Sequence, residues 1–197
     1  MSSGKIISAF DFDGTITCRD TFSDFAIFAV GRKRWLESLL RCTPVLAGWK
    51  LGMVRAEKAK QRLFSALYEG MPSEEFHALG RKYAFRINTL LRPSVVAKLR
   101  EAAGRGDEVA IVSASVGDWI RPWAGSMGVD YVLATEAEIG PDGRLTGRFS
   151  TRNCNGAEKV KRLLETFPDR KNAILVAYGD SRGDARMLKE ADYPHYV

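Results

Sequence analysis

The chain has 197 residues, 45% of them apolar and 27% charged, with a formal net charge of +6. That length suits one domain of ordinary size, or a core domain with a modest insertion. No apolar run reaches the roughly 18 residues that span a bilayer, and three widely spaced cysteines, Cys18, Cys42 and Cys154, make neither a disulfide framework nor a Cys-type metal pair. Odd, scattered cysteines predict a reducing compartment. The N-terminus passes from Met1 to Lys5 straight into a strand pattern with no charged-then-apolar leader, so the expected location is the cytoplasm. The charge is uneven: residues 16–107 hold 17 Lys and Arg against 9 Asp and Glu, +8, and the remainder holds 13 against 15, −2. Solvated helix faces account for such an excess, and so does a surface that attracts an anionic substrate or an anionic membrane.

In chain order, Ile6–Phe10 is a short apolar strand that ends in Asp11-Phe12-Asp13-Gly14-Thr15. From Asp20 to about Arg105 the pattern is helical. Asp20 or Thr21 caps a first helix with Phe22, Phe25, Ala26 and Ala29 on one face, and Pro44 breaks it or starts another. Ala56–Tyr68 is a helix with Leu63, Phe64 and Leu67 spaced for burial. Ser73, followed by Glu74 and Glu75, is the expected N-cap of the next, and Pro93 opens one that runs to about Ala103. The period then changes. Glu108–Ser113 is a buried strand, Gly117–Ser126 a short helix, Tyr131–Ala134 a short strand, and Pro141-Asp142-Gly143 the turn of a hairpin. Ala157–Phe167 is helical, Ala173–Tyr178 an unbroken apolar strand, and Ser181–Glu190 a helix. Alternating strands and helices with continuous apolar strands predict an α/β fold, a doubly wound, Rossmann-like parallel sheet. The helical stretch is too long for one crossover. It predicts an inserted all-helical cap over 18–105, with the core formed by 1–17 and 106–197.

Ligands of such sheets bind beyond the carboxyl ends of the strands. There the chain places Asp11 and Asp13, then Ser113, then Asp180 and Asp184 of Gly179-Asp-Ser-Arg-Gly-Asp184, with Lys159 near the start of a helix. Carboxylates without a His or Cys cluster suit Mg²⁺, which is commonly shared with a phosphate. A carboxylate is also a nucleophile toward phosphorus, and a second one, such as Asp13, can serve as acid for the leaving oxygen. Lys159, Ser113 and backbone N–H groups would take the phosphoryl oxygens. Each piece is weak alone; their order along the chain carries the argument.

Those residues resemble, in order, the four motifs of the haloacid dehalogenase superfamily phosphatases: Phe10 to Thr17, Ile111 to Ser115, Lys159, and Gly179 to Asp184. A helical insertion between the first and second motifs is similar to the branch that includes phosphoserine phosphatase. The resemblance implies Asp11 as nucleophile and Asp13 as general acid and base. It implies Mg²⁺ on the Asp11 side chain, the Asp13 carbonyl and the Asp180 side chain, with Asp184 supporting. Ser113, Lys159, Gly14, Thr15 and Ala114 would bind the phosphoryl group or orient the nucleophile. It also predicts a further short strand and helix where the chain ends at Tyr193 to Val197.

Asp20 stands where phosphoserine phosphatases usually have Glu, and the fourth motif reads Gly-Asp-Ser-Arg-Gly-Asp rather than the usual Gly-Asp-Gly-x-Asn-Asp. Asp20 and Arg55 are therefore the expected substrate-specificity residues. The expected activity is hydrolysis of a small, phosphoserine-like phosphometabolite. The wording around Lys159 and Asp184 also resembles a relative group that includes phosphatidylglycerophosphate phosphatases, and the apolar stretch Trp35–Val54 with basic edges would suit a lipid phosphate. A phosphotransferase would use the same aspartyl-phosphate while excluding water. A catalytically inactive phosphate-binding module would be expected to lack Asp11 or Lys159, and both are present. The pattern predicts no nucleic-acid partner, since aromatics are not interleaved with the basic residues beyond Trp35 and Trp49. Oligomeric state is not legible in it.

Overall fold

Along β1 (Ile6–Phe10), Ile7 and Ala9 face one side, Ser8 and Phe10 the other, and all four are buried, so the strand needs cover on both faces. The computed structural model of the protein, which describes residues 5–197, supplies that cover. β1 is the middle of a five-stranded sheet that also contains β2 (Glu108–Val116), β3 (Tyr131–Thr135), β6 (Ile174–Gly179) and β7 (Tyr193–Tyr196), in the order β3-β2-β1-β6-β7 with every neighbouring pair parallel. β4 (Ala137–Ile139) and β5 (Leu145–Phe149) form a separate antiparallel hairpin around the Pro141-Asp142-Gly143 turn. On one face Ile7, Ala9, Ala110, Val112, Leu175 and Ala177 pack with Leu163 of α6 (Ala157–Thr166) and Met187 and Leu188 of α7 (Ala185–Glu190). On the other, Phe10, Val109 and Ile111 meet α4 (Pro93–Arg105) and α5 (Gly117–Ala124) through Val96, Leu99, Ile120 and Trp123. This is the doubly wound arrangement expected of unbroken apolar strands.

The helical insertion holds α1 (Thr21–Lys50), α2 (Ala56–Tyr68) and α3 (Ser73–Ile87). Asp20 caps α1, accepting from the Phe22 and Ser23 amides. The break in α1 falls at Gly31, with φ 79° and ψ 160°, and not at Pro44, which lies inside the helix. Gly31 tolerates a positive φ at no steric cost. Pro44 withholds a hydrogen bond only from the carbonyl of Leu40, whose exposed position lets water replace it. Pro72, not Ser73, is the N-cap of α3, and no side chain caps that end. The residues read as the start of α7 form a turn instead, because Asp184 turns back to accept from the Ser181 amide and hydroxyl, and the helix begins at Ala185.

Aromatic residues fasten this layer to the sheet. Phe25 stacks on Trp119 of α5 with ring centroids 4.5 Å apart and meets Tyr83 at 5.1 Å and Phe76 at 5.6 Å. The β4–β5 hairpin reaches α2, where Phe149 meets Phe64 at 4.7 Å. α4 packs on β1 and β2, so the segment 18–105 ends in a helix that touches the sheet. Among the described residues no helix is long and apolar enough to cross a membrane.

Candidate active site

Asp11 follows β1 directly, and its amide continues the sheet by donating to the Tyr178 carbonyl at 2.9 Å. The chain then turns at Gly14, φ 82°, whose missing side chain gives room to Asp180: a Cβ there would lie 2.3 Å from Asp180 Oδ2. Arg92, at the N-cap of α4, donates to the Gly14 carbonyl at 2.8 Å and fixes this turn from the far side. Thr15 donates its hydroxyl to Asp11 Oδ2 at 3.1 Å and lies 3.3 Å from Asp180 Oδ1. From the other side of the sheet, Lys159 sends a buried ammonium to Asp11 Oδ1 at 2.5 Å and Asp184 Oδ1 at 2.6 Å. Oxygens of Asp11, Asp180 and Asp184 lie within 4.8 Å of one another.

Burial is the largest influence on Asp11. It pushes the carboxyl up to about 7, with help from Asp184 and Asp13 and against the opposing pull of Lys159. Burial disfavours the Lys159 ammonium, but its two carboxylates outweigh that and hold its pKa above the ordinary lysine value. Burial also raises Asp184, yet Lys159 and Ser181 bring it below the carboxylate range. Three carboxylates against one lysine leave an excess of negative charge in a small volume. That donor set, all carboxylate oxygen with one member exposed, fits a hard divalent cation of the Mg²⁺ kind.

Asp13 points elsewhere. Its Oδ1 accepts from the Thr21 amide at 2.7 Å and its Oδ2 from the Ser115 hydroxyl, while Trp119 Nε1 donates to Thr21 Oγ1 at 3.1 Å. Burial, then the charge of Asp20, raises the Asp13 carboxyl above its usual range, against the hydrogen bonds from Ser115 and Thr21.

Between the sheet and the cap lies a cavity of about 400 Å³. Asp11, Asp13, Ala114, Ser115, Lys159 and Asp184 line its floor; Asp20, Phe22, Leu46, Trp49, Lys60 and Leu63 line its cap side. Ser113 is fully buried just behind the wall, its hydroxyl oxygen accepting the Ser115 amide at 3.0 Å. Arg55 is exposed at the N-cap of α2, and its side chain is not part of the cavity wall. Sequence reasoning passed over Lys60, Ser115, Asn153 and Arg92. Lys60 looks like any helix lysine in sequence, but its Nζ donates to the Ala114 carbonyl and, at 3.0 Å, to Asn153 Oδ1, between the rings of Phe22 and Phe149 at 5.6 and 5.5 Å. The second serine of Ser113-Ala-Ser115 was the one available signal, since a two-residue step from a strand end returns to the same side.

The model of the haloacid dehalogenase-like hydrolases matches residues 9–189. The Protein CicA of Caulobacter vibrioides is 35% identical over 201 residues, which cover 100% of this chain and 87% of that protein. A phosphoserine phosphatase of Albidiferax ferrireducens is 30% identical over 202 residues, covering 97% of this chain and 77% of that one. Among solved structures, a protein of unknown function from Bordetella pertussis Tohama I superposes with a TM-score of 0.76 at 24% identity, over 95% of this chain and 87% of that one. The chain belongs to the haloacid dehalogenase-like hydrolases and is similar over nearly its whole length to phosphoserine phosphatases.

Proposed function

We propose that the protein is a cytoplasmic, Mg²⁺-dependent phosphatase that hydrolyses a small phosphomonoester through an aspartyl-phosphate on Asp11. The observation that carries this reading is the meeting of Asp11, Asp180, Asp184 and Lys159 at the carboxyl ends of β1 and β6. Asp11 and Asp180 would hold the metal with the Asp13 carbonyl, and Asp184 would support it; bound there, it screens the repulsion between carboxylate and phosphate. An oxygen of Asp11 attacks phosphorus, the ester P–O bond breaks, and the departing oxygen takes a proton from Asp13. Water then attacks the phosphorus, gives a proton to Asp13, and releases inorganic phosphate and the free Asp11 carboxylate. Lys159, positioned against Asp11, holds a phosphoryl oxygen, with Thr15 and the backbone at Gly14 and Ala114 beside it. Ser113 is assigned the phosphoryl side on the motif resemblance alone, its hydroxyl being buried and accepting the Ser115 amide. Similarity to phosphoserine phosphatases supports a small phosphorylated substrate, with Asp20 on the cavity wall as a specificity residue. Hydrolysis of p-nitrophenyl phosphate with Mg²⁺, and its loss in excess chelator, is the test; full activity in chelator overturns the reading. Release of inorganic phosphate into water, rather than its transfer to an added alcohol, separates hydrolase from phosphotransferase.

A second reading, a lipid phosphate met at an anionic membrane, is favoured by one specific feature. Leu36, Leu40, Leu51 and Met53 are exposed by 57, 74, 72 and 74%, along the distal half of α1 and just beyond it. Residues 32–62 carry nine Lys and Arg against two Asp and Glu, which leaves −1 for the rest of the chain. Trp49 is 45% exposed and also lines the cavity, so the apolar surface runs to the site's mouth. Sedimentation with phosphatidylglycerol-containing vesicles, absent with phosphatidylcholine alone, supports this second reading; a supernatant protein in both removes it.

A further inference from the structure

Two ammonium groups line the cavity, and they are held differently. Lys159 lies between Asp11 and Asp184, so its charge is answered within the protein. Lys60 reaches in from α2, and both of its hydrogen-bond partners, the Ala114 carbonyl and Asn153 Oδ1, are neutral. Two acceptors leave one of its three N–H groups without a protein partner among the described residues. Both acceptor residues make further hydrogen bonds of their own. Thr135 also donates to the Ala114 carbonyl, at 2.7 Å, and the Asn153 amide donates to Glu57 at 3.2 Å. A half-buried ammonium hydrogen-bonded only to neutral oxygens carries a desolvation cost that an incoming anion offsets. Consistently, burial pushes Lys60 down to about 8, and the more distant charges of Asp13 and Asp20 offset this only in part. The rest of the cap-side wall is Asp20, Ser23 and apolar groups, so among the lining residues Lys60 is the cap's single cation.

We propose that Lys60 is the cap's specificity residue, receiving an anionic oxygen carried by the leaving part of the phosphomonoester, a carboxylate or a second phosphate. The proposal rests on the phosphatase reading, because it needs the phosphoryl group seated at Asp11 while the leaving part faces the cap. The Lys60 ammonium then completes its hydrogen bonds, and the cost of its partial desolvation becomes selectivity for substrates that bring a second negative group. Substrates without one leave that ammonium uncompensated, which works against their binding.

Three probes of similar size separate the cases: phosphoglycolate, whose second anion is a carboxylate; ethanediol bisphosphate, whose second anion is a phosphate; and ethyl phosphate, which has none. The wild-type protein is expected to favour at least one of the first two over ethyl phosphate by about tenfold to a hundredfold in kcat/KM, expressed mainly in KM, as a charge-assisted hydrogen bond provides. Lys60→Met is expected to bring the ratios to within about twofold of unity, and Lys60→Arg to restore most of the preference. Whichever probe leads identifies the second anion. Equal use of all three by the wild type, or an equal fall for all three in Lys60→Met with no rescue by Lys60→Arg, overturns the proposal and makes Lys60 a latch between cap and sheet. If the wild type turns over none of them, the phosphatase reading fails first. Protection from thermal unfolding by the same probes then decides for Lys60: stronger protection by a two-anion probe, lost in Lys60→Met, supports it, and equal protection overturns it.

Discussion

The two walls of the cavity are built on opposite principles. The sheet wall is polar and tied together within the protein: Lys159 lies between Asp11 and Asp184, Thr15 bridges Asp11 and Asp180, and each group is fixed by a strand end, a turn or a helix start. The cap wall is mostly apolar, held through aromatic stacking, and its one cation has neutral partners. Reaction chemistry needs charges whose positions do not depend on the substrate, and the sheet supplies them. Selection among substrates needs a surface left incomplete until the right molecule arrives, and the cap has that character.

If the division holds, changes on the sheet wall should act on turnover and changes on the cap wall on affinity. Asp11→Asn is expected to lower kcat for p-nitrophenyl phosphate by at least about a thousandfold, since it removes the nucleophile. Rapid-quench detection of a phosphoenzyme on another residue would break the assignment. Phe25→Ala tests what holds the cap wall in place. Phe25 is fully buried among Trp119, Tyr83 and Phe76, and its loss should cost about 3–5 kcal/mol in urea unfolding. A cost below about 1 kcal/mol, within the range of ordinary surface substitutions, would mean that the cap docks by other means.

Lys60 gives a smaller, pH-dependent effect. Its folded-state pKa of about 8 lies below the ordinary lysine value of 10.5, so the folded protein loses this proton first. Stability of the wild type relative to Lys60→Met should therefore rise between about pH 8 and 10.5, where the unfolded chain binds the extra proton. The preference for a two-anion probe should decline over the same rise in pH. A preference that grows with pH would contradict the charge assigned to Lys60. Smallest in stability is Leu40→Glu, on the exposed face of α1, which should change unfolding free energy by no more than about 0.5 kcal/mol. It should nevertheless abolish any sedimentation with phosphatidylglycerol vesicles; unchanged sedimentation would detach that surface from membrane contact.

The sheet wall was largely legible in the sequence and the cap wall was not. Asp11, Asp13, Lys159, Asp180 and Asp184 follow from strand ends and helix starts, because a parallel sheet delivers all its carboxyl ends to one side. The structure brings Asp11, Lys159, Asp180 and Asp184 together and turns the Asp13 carboxylate toward Thr21 and Ser115. On the cap, the direction of a side chain depends on how α1 and α2 pack, which no local pattern records. So Arg55, read as a specificity residue, stands in solvent, while Lys60, five residues on, enters the cavity. Pro44 misled because proline is the stronger punctuator in sequence, whereas Gly31 bends the chain through a backbone angle that composition does not announce. Only the family resemblance, and no local pattern, pointed to a strand at β7, because its residues are all exposed and lack the alternation that marks a strand.

The central place of β1 also fixes when the protein can become itself. β1 pairs with residues beginning at Glu108 on one side and Ile174 on the other. Asp11 and Lys159 are 148 positions apart. Contacts so distant in sequence form slowly, because loop closure must precede them. During synthesis the apolar β1 segment must wait, unpaired on its β6 edge, until β6 has left the ribosome. A nascent chain that stops before Ile174 would carry an aggregation-prone strand and an incomplete charge cluster, so folding and chemical competence should arrive together, once the segment from Ile174 to Asp184 has emerged.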